Sequence, residues 1–322
     1  MARPERGVKR YVAGQVRTDE ADDCGYYELG SIPMPYNTSF AFDSVAVIES
    51  LPAGDLRVGR DLFETTIAPV SIANPGVVSE MYEPLSGTDF LGCLATIASM
   101  AQQYGRSPVI HIAAHGNRHE IQLANGDFVT WQEIAPALTT VNQICRVNLL
   151  VVAAMCQGWH LSSVLRPTDR TPAFGVVGAH ETLEAGALLD AMKRFYGALL
   201  GPGHDLRAAL DEANGQRPFA DWTFKMEGAE LMLCRVFEHY VQEVATESTQ
   251  VERVSRMVAD VARIKNLDVL RTMRLRAELR EAIDDHGRWF DLYRTRFLML
   301  DLFPFNAPRF LLRYPDCQGD AA

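Results

Sequence analysis

Lysine is nearly absent from this chain: only Lys9, Lys193, Lys225 and Lys265 among its 31 basic residues are lysines, and the rest are arginines. Basic residues are in turn outnumbered by 41 acidic ones, giving a formal net charge of −10 and a sequence pI near 5.3. That deficit excludes a nucleic-acid-gripping protein and argues against one held on an anionic membrane, since both need a basic face. Long apolar runs are missing too. No stretch of about 18 apolar residues occurs, so no membrane span is expected. Residues 1–17 carry no apolar core of signal-peptide length, and the expected location is the cytoplasm.

Other absences narrow the chemistry. The six cysteines, Cys24, Cys93, Cys145, Cys156, Cys234 and Cys317, have no CxxC spacing, so free thiols in a reducing compartment are expected instead of a disulfide framework or a zinc ribbon. There is no GxxxxGK[ST] phosphate loop, no GxGxxG, no GxSxG elbow and no HExxH. ATP, nicotinamide and serine-esterase readings have no footing, and no cofactor or metal is expected. Internal repeats and low-complexity tracts are also lacking.

What is present is a chain of 322 residues, 48% hydrophobic and 22% charged, enough to bury a substantial core. The first forty residues are polar, with prolines at 33 and 35, and read as an arm. Residues 42–50 (FDSVAVIES) form an apolar strand that ends in the turn Leu51-Pro52-Ala53-Gly54, with a helix expected over 55–65. A strand is expected over 76–83 and a helix over 89–104, with Leu91, Leu94, Ile97, Ala98 and Ala101 on its inner side. Pro108 to Ala113 (PVIHIA) is a buried strand. Residues 121–131 (IQLANGDFVTW) alternate about Asn125-Gly126, a hairpin signal for a type I′ turn. Thr130 and Glu133 make a capping box for a helix reaching about Leu138. The most apolar run, residues 147–154 (VNLLVVAA), predicts the central strand; another strand follows over 173–178 and a helix over 182–200. Strands alternating with helices predict an α/β fold with a mostly parallel sheet between helical layers.

From Ala229 the chain turns helical. Val251, Val254, Val258, Val261, Ile264 and Leu267 recur at helical spacing and are expected on one face. Residues 251–296 hold eleven basic and eight acidic residues, a local charge of +3 against −13 elsewhere. The expected division is an arm (1–40), an α/β domain (41–245) and a helical region (246–322), the last a packing subdomain or a docking surface.

Two strand ends carry the candidate chemistry. One runs into Ala113-Ala114-His115-Gly116 and the other into Ala153-Ala154-Met155-Cys156-Gln157-Gly158. Ligands of an open parallel sheet bind at the C-terminal strand ends, where a His and a Cys from adjacent strands would face each other. An imidazole near neutrality can take the thiol proton, while the N–H groups of Gly116 and Cys156 would serve an oxyanion. The other cysteines at 93, 145 and 234 read as packing residues. His111, His115 and His119 recur every four residues, but Gly116-Asn117 breaks any helix that would gather them on a metal. His160 is expected in an exposed position at a helix start.

A strand ending in His115-Gly116, a hairpin, a helix and a strand ending in Ala-Met-Cys156-Gln-Gly, in that order, resemble the caspase-like cysteine peptidases, within them the bacterial CHAT-type domains, over residues 42–245. The 41-residue gap from His115 to Cys156 is near the separation of about 50 in caspases. The resemblance implies a caspase-like three-layer sandwich with a C-terminal helical region. It also implies a cysteine endopeptidase with His115, Gly116 and Cys156 catalytic, acting without cofactor on a dedicated protein. A neighbouring gene would encode that protein, a pore-former or other effector, in a bacterial defence or cell-death pathway, with an activating partner. Ala154 stands where caspases carry Gln and metacaspases Asp, which points to an apolar substrate side chain. Gly178, Ala179, His180 and Glu181 correspond to the loop that pairs with extended substrate, and Glu181 or Glu184 would instead favour a basic one. The other reading from the same resemblance is a catalytically silent or conditionally active scaffold or interaction module regulated through its C-terminal helices.

Overall fold

The computed structural model describes residues 40–74, 76–179, 182–201, 205–218 and 222–314; the expected arm lies outside them except for its last residue. The chain enters the core through β1 (Ser44–Ser50), seven residues buried without exception. The turn after it is closed by Asp55 N–H to the Pro52 carbonyl, with Gly54 at φ 103°, a conformation that a side chain resists. The helix expected from Asp55 starts three residues later, as α1 (Val58–Leu62), and continues through a π-helical turn (Phe63–Ile67) into α2 (Ala68–Ala73). Glu49 on β1 causes the delay. Its buried carboxylate accepts from the N–H groups of Gly59 at 2.6 Å and Arg60 at 3.1 Å, doing from a neighbouring strand what an N-cap side chain does locally.

Next come β2 (Val78–Tyr82) and α3 (Gly87–Tyr104), opened by a capping box between Ser86 and Asp89 and closed by Gly105 in the left-handed region. Phe90, Leu94, Ile97, Ala98 and Ala101 face inward, while Leu91 is only partly covered. β3 (Pro108–Gly116) runs three residues beyond the expected strand, because residues 115 and 116 pair with the hairpin β4 (Glu120–Gln122) and β5 (Phe128–Thr130). In that hairpin only Gly126 is left-handed, at φ 89°, and its N–H closes on the Leu123 carbonyl. The loop is longer than the two-residue type I′ turn that the dipeptide suggested. α4 (Trp131–Ile144) begins with the expected capping box and runs past Leu138, since Val141 and Asn142 are also buried.

β6 (Leu150–Ala154) is shorter than expected because Arg146 and Val147 take positive φ. A 3-10 turn (Gly158–Val164), β7 (Gly175–Ala179), α5 (Ala185–Leu199) and α6 (Leu206–Ala213) follow. β8 (Phe224–Gly228) was not legible as a strand: its sequence FKMEG is charged, yet it adds antiparallel to β7 and buries Glu227. The main sheet has the order β2-β1-β3-β6-β7-β8, parallel except for β8. Alternate residues of β3 address two helical layers: Ala113 and His111 meet α1 and α5, and α3 packs beside α4. This is the three-layer α/β sandwich with a mostly parallel sheet that the sequence implied.

The helical remainder is α7 (Ala229–His239), α8 (Glu247–Lys265), α9 (Val269–Asp284) and α10 (His286–Phe297). It divides in two. Phe290, Phe297, Leu298, Met299 and Phe310 belong to the main core, and Arg309 and Asn306 donate to the carbonyls of Val147 and Arg146. α8 and α9 instead close a small core of their own from Val254, Val258 and Ile283, with Leu275 and Leu279 against it. The expected apolar stripe of α8 is only half covered: Val254 and Val258 are buried, but Val251 and Ile264 are exposed. One cysteine departs from expectation. Cys93, Cys145 and Cys156 are free, whereas Cys234 is disulfide-bonded. Pairing between cysteines distant in sequence depends on Cα separation in the fold, which spacing cannot reveal.

Candidate functional site

Adjacent β3 and β6 are paired in parallel with Ala113 opposite Ala154. His115 and Cys156 each follow that pair by two residues, so the chain delivers them to the same end of the sheet from neighbouring strands. Backbone contact marks how close the two exits are: a Cβ added to Gly116 would lie 2.7 Å from the Met155 sulfur and 3.0 Å from the Cys156 carbonyl oxygen. Glycine is required there by the approach itself. The turn after Cys156 is equally tight. Gln157 sits at φ 54°, a left-handed conformation that costs a non-glycine residue about 1 kcal/mol, and a Cβ on Gly158 would lie 2.6 Å from the Ala153 Cβ.

His115 is exposed, and its Nε2 lies 2.7 Å from Oδ2 of Asp55. An ionised carboxylate only accepts, so the imidazole carries its hydrogen on Nε2 and leaves Nδ1 as the basic nitrogen. Asp55 was not singled out in the sequence, where it read as the first residue of a helix. Because α1 starts late, residues 55–57 form a loop, and Asp55 can turn toward the strand end. That loop is anchored by Arg57, whose Nε donates to the buried Glu49 at 2.5 Å, and both Arg57 and Arg60 contact Glu83. The Arg60 hydrogen bond, with the nearby guanidinium charges, holds the Glu83 carboxyl below its usual range. Ser50, the last residue of β1, accepts from the Ala124 N–H and donates to the Pro84 carbonyl, which ties the same strand end to the hairpin.

Several basic side chains gather about His160 although the whole chain is acidic. His160, four residues on from Cys156, lies half-buried in the 3-10 turn and not in the exposed position expected of it. Its pKa is pushed down to about 4, mainly by burial and then by the charges of Arg118, His119 and Arg235. His111 is buried inside the sheet layer, with Nδ1 3.3 Å from the Tyr196 hydroxyl; burial pushes its pKa down to about 3. Cys145, also buried, is pushed up to about 12 by burial and by Asp43, and burial raises Cys93. Neither is suited to supply a thiolate near neutrality. Cys156 is free and half-buried at the strand end.

The expected substrate contacts fare differently. Ala154 is 2% exposed and paired with Ala113 inside the sheet, so it is not an open pocket floor. Gly178 pairs with Ala153 on one side and Lys225 on the other, and Ala179 with Phe224. The unexpected β8 therefore occupies the edge along which an extended substrate was expected to pair with these two residues. His180 and Glu181 lie outside the described residues, and Glu184 is exposed just before α5. A small cavity lined by Val45, Glu80, Ile97, Arg106 and Pro108 belongs to the opposite end of the strands and plays no part at this site. Among the described residues no group of three or more His, Cys, Asp or Glu side chains is placed to hold a metal ion, and no helix is long and apolar enough to cross a membrane.

No family model matches the chain, and no curated protein sequence matches it. Among solved structures it is similar to the Drosophila initiator caspase Dronc, at 15% identity and a TM-score of 0.43, over 70% of this chain and 93% of that one.

Proposed function

We propose that this chain is a cysteine peptidase in which Cys156 is the nucleophile and His115 its base. The observation that carries this reading is the register of β3 and β6, in which both residues follow the Ala113–Ala154 pair by the same two steps. In the proposed cycle His115 Nδ1 takes the Cys156 proton and the thiolate attacks the scissile carbonyl. The imidazolium then gives that proton to the leaving amine. Water, activated by the same imidazole, hydrolyses the thioester and restores the thiol. The N–H groups of Gly116 and Cys156 would donate to the oxyanion, a contribution worth about 3 kcal/mol per donor in related chemistry. Asp55 would hold the Nε2 hydrogen and stabilise the imidazolium, as the third member of a hydrolytic triad does.

A dedicated protein target, encoded beside this gene in a bacterial defence pathway, is the substrate proposed from the resemblance to CHAT-type domains. The test at the site does not require it. Alkylation by iodoacetamide near pH 7, read by peptide mass spectrometry, should modify Cys156 at least tenfold faster than Cys93 and Cys145, and His115→Ala should abolish the excess. Equal, slow labelling of all three thiols would overturn the reading in favour of a silent interaction module. Once a protein substrate is in hand, Cys156→Ala should abolish its cleavage.

A further inference from the structure

The hairpin of α8 and α9 ends in a tip that the fold leaves uncovered. The small core of Val254, Val258, Ile283, Leu275 and Leu279 lies toward its base. α9 carries further apolar side chains beyond that core: Val269, Leu270 and Met273 fall within about 100° of arc on a 3.6-residue helix. These three are 75%, 76% and 65% exposed, and Ile264 at the end of α8 is 77% exposed. Large apolar side chains clustered at that exposure need a reason. Around them, residues 260–276 hold five basic side chains, Arg263, Lys265, Arg271, Arg274 and Arg276, against two acidic ones, Asp260 and Asp268, which pair with Arg263 at 2.8 Å and Arg271 at 3.7 Å; Lys265, Arg274 and Arg276 lie beyond those pairs.

We infer that this tip is a docking surface for an anionic lipid bilayer, entered by Ile264, Val269, Leu270 and Met273 and held electrostatically by the surrounding cations. Three observations select that occupant. The local charge over residues 260–276 is +3 in a chain whose total is −10, so the complement must be negative, and a second copy meeting this tip through its own would bring like charges together. The four apolar side chains are each well over half exposed; a fluid interface accepts such an arrangement without a matching concave partner. α8 is 19 residues long, about 28 Å, several times the ~8 Å Debye length at physiological salt, so acidic groups at its start, such as Glu247, are screened from the tip. The whole-chain charge, which argued against a membrane, is a sum that the tip does not feel.

The experiment is co-sedimentation of the full chain with vesicles of phosphatidylcholine containing 30% phosphatidylserine, compared with phosphatidylcholine alone. At physiological salt, binding to the anionic vesicles should be at least tenfold stronger and should fall steeply at 0.5 M salt. Leu270→Asp and the charge reversal Arg274→Glu/Arg276→Glu, both at exposed positions, should each reduce it at least tenfold while the Cys156 alkylation rate stays unchanged. That rate separates failure here from failure of the peptidase reading. Three outcomes would overturn the inference: no preference for anionic vesicles, binding indifferent to Leu270→Asp, or a wild-type dimer that Leu270→Asp dissociates. Capture of poly-glutamate in place of vesicles would overturn it equally and point to an acidic protein partner.

Discussion

Asp55 and His115 are sixty positions apart in the chain, yet their side chains meet at 2.7 Å at one end of the sheet. The contact joins the loop after β1 to the end of β3, and it fixes which imidazole nitrogen is basic. Its consequences for reactivity and for stability differ in size. Both side chains are about half exposed, so the contact contributes at most about 1 kcal/mol to folding. Its effect on the tautomer is larger, because an amide at this position can present either donor or acceptor. Asp55→Asn should therefore slow alkylation of Cys156 at least about tenfold and leave the urea midpoint nearly unmoved. Unchanged alkylation would detach Asp55 from the site.

Glu49 should behave in the opposite way. Its side chain is fully buried and accepts from Arg57 and from two backbone N–H groups at the start of α1. Glu49→Ala leaves those donors unsatisfied and should cost about 3 kcal/mol, measured by urea denaturation. The same variant should slow Cys156 alkylation, because the loop that presents Asp55 loses its anchor. A cost under about 1 kcal/mol would show that water replaces the carboxylate freely.

Glycine positions give a paired comparison. A Cβ at Gly158 meets the Ala153 carbonyl oxygen at 2.8 Å as well as its Cβ, whereas one at Gly186, in the first turn of α5, meets nothing within 4 Å. Gly158→Ala should destabilise by about 1–3 kcal/mol and disturb the Cys156 turn. Gly186→Ala should stabilise by up to about 1 kcal/mol through helix propensity and a less flexible unfolded chain. Thermal unfolding of the two variants side by side checks both signs.

His111 sets an acid limit. Burial pushes its folded pKa from the ordinary 6.5 down to about 3, so between those values the unfolded chain binds a proton that the folded chain refuses. The stability that His111 contributes is fully present above about pH 6.5 and is lost progressively down to about pH 3, at about 1 kcal/mol per pH unit. His160, pushed down to about 4, steepens the same limb. Urea melts between pH 7 and 4 should show His111→Gln less acid-sensitive than the wild type, even though it is less stable at pH 7; parallel curves would remove His111 as a source of the slope.

Much of the sheet could be read in advance because its strands are buried on both faces and so appear as unbroken apolar runs, as in SVAVIES, PVIHIA and LLVVAA. Capping boxes are equally legible, since Thr130 and Glu133 satisfy each other within one turn. β8 escaped because a strand carrying Lys225 and Glu227 looks like surface; burial of Glu227 depends on Arg235, a helix residue 3.1 Å away. The Cys234 disulfide escaped because sequence spacing does not reveal which cysteines the fold brings together. Equally illegible was that Ala154, Gly178 and Ala179 lie in interior strands, since that depends on which strands come to flank β6 and β7.

By itself the sequence determined the local and periodic features: which apolar runs are strands, where α4 is capped, and that a histidine and a cysteine lie at the ends of two buried strands. These follow from burial pattern and from hydrogen bonds closed within a few residues. Tertiary structure alone decided that Asp55 is the partner of His115, that a carboxylate on β1 starts α1, that the edge beside β7 is filled, and that one end of a helical hairpin is left bare. Each of those depends on groups distant in sequence becoming neighbours, and no local preference encodes which distant groups will meet.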